Sequence, residues 1–333
     1  MNFSTLFLSL FQFLDPQPAP ATPEILSAGF IYESAPFPQC HASTLVETQS
    51  GIMAAWFGGT HEKHPDVSIY TSELKKGAWS TPKLVADGVK SDELRYPTWN
   101  PVLYQLDKKE LALFYKVGPH PREWWGVYKT SRDEGKTWSE EKAIPNNLLG
   151  PIKNKTVELA DGTLLHPTSF ETTEKWNTYI ETSDASLKNW KKIEIDNAGF
   201  NAIQPTVLFH PDGKLQLLCR TKENVISTTW SSDQGKTWSK MEATSLVNNN
   251  SGIDAVTLKS GYHLLVCNPI KKGRNKISLF GSTDGINWEE LLVLEDESEG
   301  EFSYPAIIQA KDGTVHISYT YNRVKVKHVQ VKV

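Results

Sequence analysis

Cysteine and methionine are scarce, with three of each in 333 residues. Cys40, Cys219 and Cys267 lie far apart and form no C-x-x-C pair. That spacing excludes a disulfide framework and a zinc knuckle as organising devices. No glycine-rich phosphate loop follows a predicted strand, so nothing points to a nucleotide cofactor. A formal net charge of −4 leaves no basic excess for nucleic acid or an anionic membrane surface. Long apolar runs are missing too: Phe3–Leu14 is too short to cross a bilayer as a helix, and no later stretch reaches the roughly 18 apolar residues a span needs.

Aromatic residues are plentiful: 11 Trp, 11 Tyr and 13 Phe favour strands and sugar-type binding surfaces over helical bundles. Hydrophobic residues at 39% allow a real core, and charged residues at 22% argue against disorder. The run Phe3–Leu14 precedes an Ala19-x-Ala21 pattern like a leader cleavage site, although no Lys or Arg comes before it. Residues 1–21 are therefore expected to be a signal peptide or disordered leader, with residues 22–333 as one domain. A cleaved leader implies a secreted or periplasmic protein; otherwise the chain is cytoplasmic.

Repeats decide the fold class. Ser131-x-Asp133-x-Gly135-x-Thr137-Trp138 recurs as Ser231-x-Asp233-x-Gly235-x-Thr237-Trp238, and a shortened copy runs from Ser282 to Trp288. Eroded copies lie at 72–79 and 183–190. The tryptophans at 79, 138, 190, 238 and 288 are 59, 52, 48 and 50 residues apart. A period near 50 with short strands indicates one four-stranded propeller blade per repeat. Hairpin turns run in phase, as at Asp161-Gly162, Asp212-Gly213 and Asp312-Gly313. The first two strands of each blade then fall at 41–60, 98–118, 151–171, 202–222, 251–270 and 303–322. Only residues 323–333 remain after the sixth, one strand short. The expected fold is an all-β, six-bladed β-propeller closed by an N-terminal strand at 24–32.

In a propeller the ligand sits at the ring axis, where innermost strands begin and second strands end. The polar segments predicted there hold His41, Asn100, Lys153, Gln204, Asp254 and Tyr304, with His61, Glu62, Lys116, Arg220 and Asn268 at second-strand ends. Converging charges and aromatics suit one polar sugar. His61, His64, Glu62 and Asp66 have the wrong spacing for a rigid metal site, and none is expected. Trp124 and Trp125 suit sugar stacking and inter-blade packing equally.

The Ser-x-Asp-x-Gly-x-Thr-Trp element resembles the Asp-box of the sialidase superfamily, and the likeness extends over most of residues 24–333. It implies that Arg220 and Arg274 occupy two positions of a carboxylate-binding arginine triad, and Tyr304 that of the tyrosine nucleophile. His41 stands where the first triad arginine is expected, and Thr320 where its glutamate partner would be. Gln204 stands where a glutamate would activate the tyrosine, and the general-acid aspartate maps onto the loop His61–Asp66. The resemblance thus implies a carbohydrate-active enzyme, a sialidase-like glycoside hydrolase acting on a glycan with an acidic sugar, but with altered chemistry. The catalytic candidates are His41, Tyr304, Glu62 and His61. The substrate-binding candidates are Arg220, Arg274, Gln204, Asp254, Asn100, Lys116 and Lys153. An imidazole of ordinary pKa near ~6.5 at His41 could act as base or acid at neutral pH. Elimination from a uronic acid by His41 and Tyr304 is the alternative chemistry, and a non-catalytic glycan-binding propeller the alternative class. Neither cofactor nor metal is expected, the partner is a glycan, and the chain is expected to be monomeric.

Overall fold

The computed structural model describes residues 22–145 and 147–333, so the expected leader lies outside the described residues. The described strands form six antiparallel sheets. The first blade is built from Gln39–Glu47, Ile52–Gly59 and Ser68–Lys75, with Ala78–Trp79 and Lys83–Ala86 both paired to the third strand. In the sixth blade, Phe302–Gln309, Val315–Tyr321 and Lys325–Lys332 run outward in chain order, and Glu24–Phe30 supplies the outermost strand. The chain is a six-bladed β-propeller, closed by its N-terminal strand. Closure gives Lys325–Lys332 a partner on its outer side and completes the fourth strand of the last blade.

No single core holds the ring. Instead a separate apolar cluster fills each junction between neighbouring blades. The repeat tryptophans explain the period: Trp79, Trp138, Trp190, Trp238 and Trp288 each pack into the junction with the preceding blade. The junction between blades five and six has no such Trp, because the outer strand of blade six comes from the N-terminus without a hairpin to carry one. Tyr319 and Val329 fill that wedge.

The repeat turns are local hydrogen-bond cages. Ser131 Oγ accepts from the Gly135 N–H at 2.8 Å and donates to Asp133 Oδ1 at 2.8 Å. Thr137 donates its N–H to Oδ1 and its hydroxyl to Oδ2 of the same carboxylate, at 2.8 and 2.6 Å. Residues 231–237 repeat this geometry, and the Thr137 and Thr237 bonds hold the Asp133 and Asp233 carboxyls down at about 2. The eroded copy at 183–190 still closes, with Asp184 accepting from the Lys188 N–H and Trp190 donating to the Leu187 carbonyl. Trp190 is only 7% exposed, stacked on His166 within the junction of blades two and three. Replacing it with Ala is expected to lower unfolding free energy by about 3–5 kcal/mol, the cost of a buried aromatic deletion. Chemical denaturation of the wild type and the variant checks this.

Blade three departs from the pattern. Its innermost strand is only Val157–Glu158, not the longer strand expected from 151. Residues 151–155 cross the axis instead. Their polar groups bond to blades two, four, five and six, so the segment acts as a plug at the centre of the ring.

Candidate active site

The axial side chains owe their placement to a repeated backbone device. In four innermost strands the pairing register slips, between His41 and Thr44, Trp99 and Val102, Ile203 and Thr206, and Ser303 and Ala306. Within each slip one residue takes a positive φ: Ala42 at 55°, Asn100 at 38°, Gln204 at 55° and Tyr304 at 54°. Such bulges re-aim side chains, and a left-handed tyrosine is an outlier that only surrounding structure can impose. Proline follows three of them, at 101, 205 and 305, and has no N–H to lose where the ladder breaks.

Tyr304 reaches from blade six to blade four. Its hydroxyl accepts from Arg220 Nη1 at 2.9 Å and lies 3.4 Å from Gln204 Nε2. Arg220 is fixed on its other edges: Nη1 also donates to Gln204 Oε1, Nε to Asn250 Oδ1, and Nη2 to the Asn250 carbonyl. The Arg274 guanidinium lies 5.8 Å from the Tyr304 ring centre, and its Nη1 donates to Glu301 Oε1 at 2.9 Å. Arg274 sits in the loop between His263–Cys267 and Lys276–Ser282 rather than at a strand end. Glu301 Oε1 also accepts from Arg323 Nε at 2.7 Å, and Arg323 Nη1 donates to Glu62 Oε2 at 2.6 Å. Burial alone would raise the Glu301 carboxyl, but Arg323 and Arg274 outweigh it and hold it below its usual range.

His41 packs its ring against Tyr304, with centroids 4.0 Å apart. Its Nδ1 bonds Thr320 Oγ1 at 2.9 Å, so a histidine–threonine pair stands where the family resemblance implies arginine and glutamate. Its Nε2 is buried and has no protein partner. The expectation of an ordinary imidazole pKa is overturned. Burial first, then the positive charges of Arg323, Arg274, Arg220 and Lys153, push it well below 6.5. His41 is a neutral ring at neutral pH.

The structure therefore brings together His41, Tyr304, Arg220, Gln204 and Arg274, with Glu62 joined through Arg323. His61 lies on the exposed loop beside Glu62, its Nδ1 bonded to the Glu62 carbonyl at 2.9 Å. Of the other candidates, Lys153 lies in the plug, and Asp254, Lys116 and Asn100 bond to it. Lys153 Nζ donates to Asn154 Oδ1, the Ile253 carbonyl and the Pro305 carbonyl, tying blades three, five and six. Asp254 is bound by Lys155, the Thr206 hydroxyl and the Ile307 N–H. Lys116 is 0% exposed and donates to the Pro151 carbonyl, while Asn100 donates to the Ile152 carbonyl. All four side chains are buried and bonded within the protein. Trp124 packs edge-on against Trp99, and Trp125 against Tyr96.

Four residues of the site escaped the sequence reading: Arg323, Glu301, Asn250 and Glu171. Glu171 ends the strand Leu164–Glu171; burial raises its carboxyl, while Arg220 and Lys222 pull the other way. Arg323 had no motif to announce it. The proline pattern, by contrast, was a usable signal: Asn100-Pro101, Gln204-Pro205 and Tyr304-Pro305 lie on innermost strands, and Gly150-Pro151 opens the crossing segment of blade three.

Similar proteins place this geometry in context. An anhydrosialidase of Macrobdella decora is 25% identical over 222 residues, an alignment covering 57% of this chain but only 28% of that protein. The chain thus spans under a third of that relative's length. A protein of unknown function from Dyadobacter fermentans superposes with a TM-score of 0.78 at 17% identity, covering 94% of this chain and 99% of that one. The NanB sialidase of Streptococcus pneumoniae, as its K499G mutant, superposes with a TM-score of 0.73 at 14% identity, covering 91% and 70%. At such identities the likeness to the solved structures is one of fold alone. Residues 50–317, most of the propeller, match the model of the BNR repeat-like domain family, and the chain belongs to that family within the sialidase-like superfamily.

Proposed function

We propose that the chain is a carbohydrate-active enzyme of the glycoside hydrolase type, acting on a glycan that carries a carboxylate-bearing sugar. The observation that carries this reading is a phenol set among guanidinium groups: Arg220 bonds Tyr304 Oη at 2.9 Å, and Arg274 stands 5.8 Å from its ring centre. Guanidinium forks bind carboxylates in a bidentate manner, and here they flank the group best placed to react. In this reading Arg220 and Arg274 hold the sugar carboxylate. The Tyr304 hydroxyl loses its proton to solvent and its oxygen forms a bond to the anomeric carbon as the glycosidic bond breaks, while Glu62 or His61 gives a proton to the leaving oxygen and regains one from the water of the next step. Water then displaces the tyrosine in a second step. Arg220 would stabilise the phenolate electrostatically.

A second reading has its own support. Among the described residues no carboxylate hydrogen-bonds Tyr304 Oη, whereas the His41 ring packs on the Tyr304 ring, and its buried Nε2 has no protein partner. That pair suits elimination from a uronic acid: His41 takes the C5 proton, Tyr304 protonates the leaving oxygen, and the arginines neutralise the carboxylate. Incubation with sialosides, uronic-acid glycans and sulfated polysaccharides, with products read by mass, tests both. Hydrolysis adds water across the bond, whereas elimination leaves an unsaturated uronate that absorbs in the near ultraviolet. Thermal stabilisation by a glycan with no product at long incubation would mean a binding protein and would sink both readings.

A further inference from the structure

The turn that carries Arg323 is unusual for its residue type. The Val324 N–H donates to the Tyr321 carbonyl at 3.1 Å, and the two central residues, Asn322 and Arg323, have φ of 51° and 60°. This is a type I′ turn, in which the second central position ordinarily takes glycine. An arginine there bears a left-handed backbone for the sake of something its side chain does. The backbone is held firmly: the Cys40 N–H donates to the Arg323 carbonyl at 2.7 Å, and the Asn322 side chain bonds the Glu301 N–H. Cys40 immediately precedes His41, so the turn is fixed to the centre of the site.

The side chain has two distinct edges. Its Nε side is splinted to Glu301 Oε1, the oxygen that also anchors Arg274. Two guanidinium groups that share one carboxylate oxygen are close enough to share another. Its Nη1 edge faces the loop at 60–67, where Glu62 of blade one covers it across 261 residues of sequence. Glu301 is structurally committed, with Ser303 Oγ also bonded to Oε1. Glu62 is not: among the described residues it pairs with Arg323 alone, and its side chain is 38% exposed.

We propose that Arg323 is a specificity-determining residue for the acidic group of the substrate, and that Glu62 is its built-in placeholder. In the free protein the Glu62 carboxylate occupies the Nη1 edge. An incoming sugar carboxylate takes that edge, and Glu62 is released into the funnel beside the sugar. The inference rests on the acidic-sugar reading, and it adds a guanidinium that the family resemblance does not supply.

The two halves of the pair make opposite predictions. Isothermal titration would use N-acetylneuraminic acid, D-glucuronic acid and D-galacturonic acid, with D-glucose and D-galactose as neutral controls. Arg323→Lys and Arg323→Ala are expected to weaken acid binding by about tenfold or more, the worth of a charge-assisted bond. Glu62→Gln removes the competitor and is expected to tighten binding about two- to fivefold, the scale of a part-exposed ion pair. Thermal melts of the mild variants, Arg323→Lys and Glu62→Gln, confirm folding. If Glu62→Gln weakens binding as the Arg323 variants do, the pair is a structural brace and the placeholder role is lost. If the Arg323 variants bind the acids as tightly as wild type, the inference falls while the acidic-sugar reading stands. If wild type binds none of the acids, the acidic-sugar reading falls and takes the inference with it.

Discussion

Tyr304→Phe is expected to lower turnover by ~100- to 10,000-fold on whichever acidic glycan proves to be cleaved, without shifting the melting temperature. The fold should survive because the phenol oxygen supports little beyond the site. Arg220 keeps Gln204 and Asn250 when the hydroxyl goes, and the ring still packs against His41 at 4.0 Å. Both chemical readings need that oxygen, as nucleophile in one and proton donor in the other. His41→Ala separates them. Under elimination it removes the base and should cost as much as Tyr304→Phe; under hydrolysis it removes only packing and should cost far less. The pH profile adds a second readout. With its pKa held well below 6.5, His41 is already neutral across the neutral range. A rate that needs the neutral ring should then persist as pH falls through 6.5 and drop only in more acidic solution. A limb centred near 6.5 that vanishes in His41→Ala would overturn this picture of the ring.

What could be read from the sequence divides by the distance over which the physics acts. The repeat turns were legible because their bonds close within a few residues: Ser131, Asp133, Gly135 and Thr137 satisfy one another locally. Ring closure was legible by counting, since the last blade was visibly one strand short. Tyr304 and Arg220 could be located because repeats fix where strands begin and end. Arg323 and Glu301 could not. Their importance arises where the last blade meets the first, and Arg323 meets Glu62 only because the ring closes. The histidine at 41 was read correctly as a residue type and wrongly as a titrating group. Its setting depends on four cations from other parts of the chain. Glu171 was missed for the same reason: burial raises its carboxyl, and burial is a property of the assembled funnel.

Lys153 is expected to be among the residues whose replacement costs the most stability. Sequence placed it among the ligand-binding groups because it falls at the axis. The structure places it at the axis for another purpose. Its ammonium is fully enclosed and serves acceptors from three blades: Asn154 Oδ1 at 2.8 Å, the Ile253 carbonyl at 2.9 Å and the Pro305 carbonyl. The last of these is the carbonyl next to Tyr304, so the plug also sets the backbone from which the phenol projects. Lys153→Met keeps most of the volume but strands those acceptors in a site without solvent. A loss of about 3–5 kcal/mol in unfolding free energy is expected, the scale for breaking a buried polar or charged group away from its partners. The loss should depend on pH. Burial pushes the Lys153 pKa down to about 7, against 10.5 for a free lysine, with Asp254 pulling partly back. Between those values the unfolded chain binds a proton that the folded chain does not, so this residue makes wild-type stability rise with pH. The slope cannot exceed ~1.4 kcal/mol per pH unit. Denaturant melts of wild type and Lys153→Met at pH 6, 7.5 and 9, a range of about three units chosen to bracket the lower limit of that window, give the difference directly. The deficit of the variant should widen toward pH 9, where the wild-type amine is neutral and still donates. A deficit that stays constant, or narrows, would mean that the ammonium keeps its proton in the plug and that three carbonyl-type acceptors outweigh the cost of burying the charge.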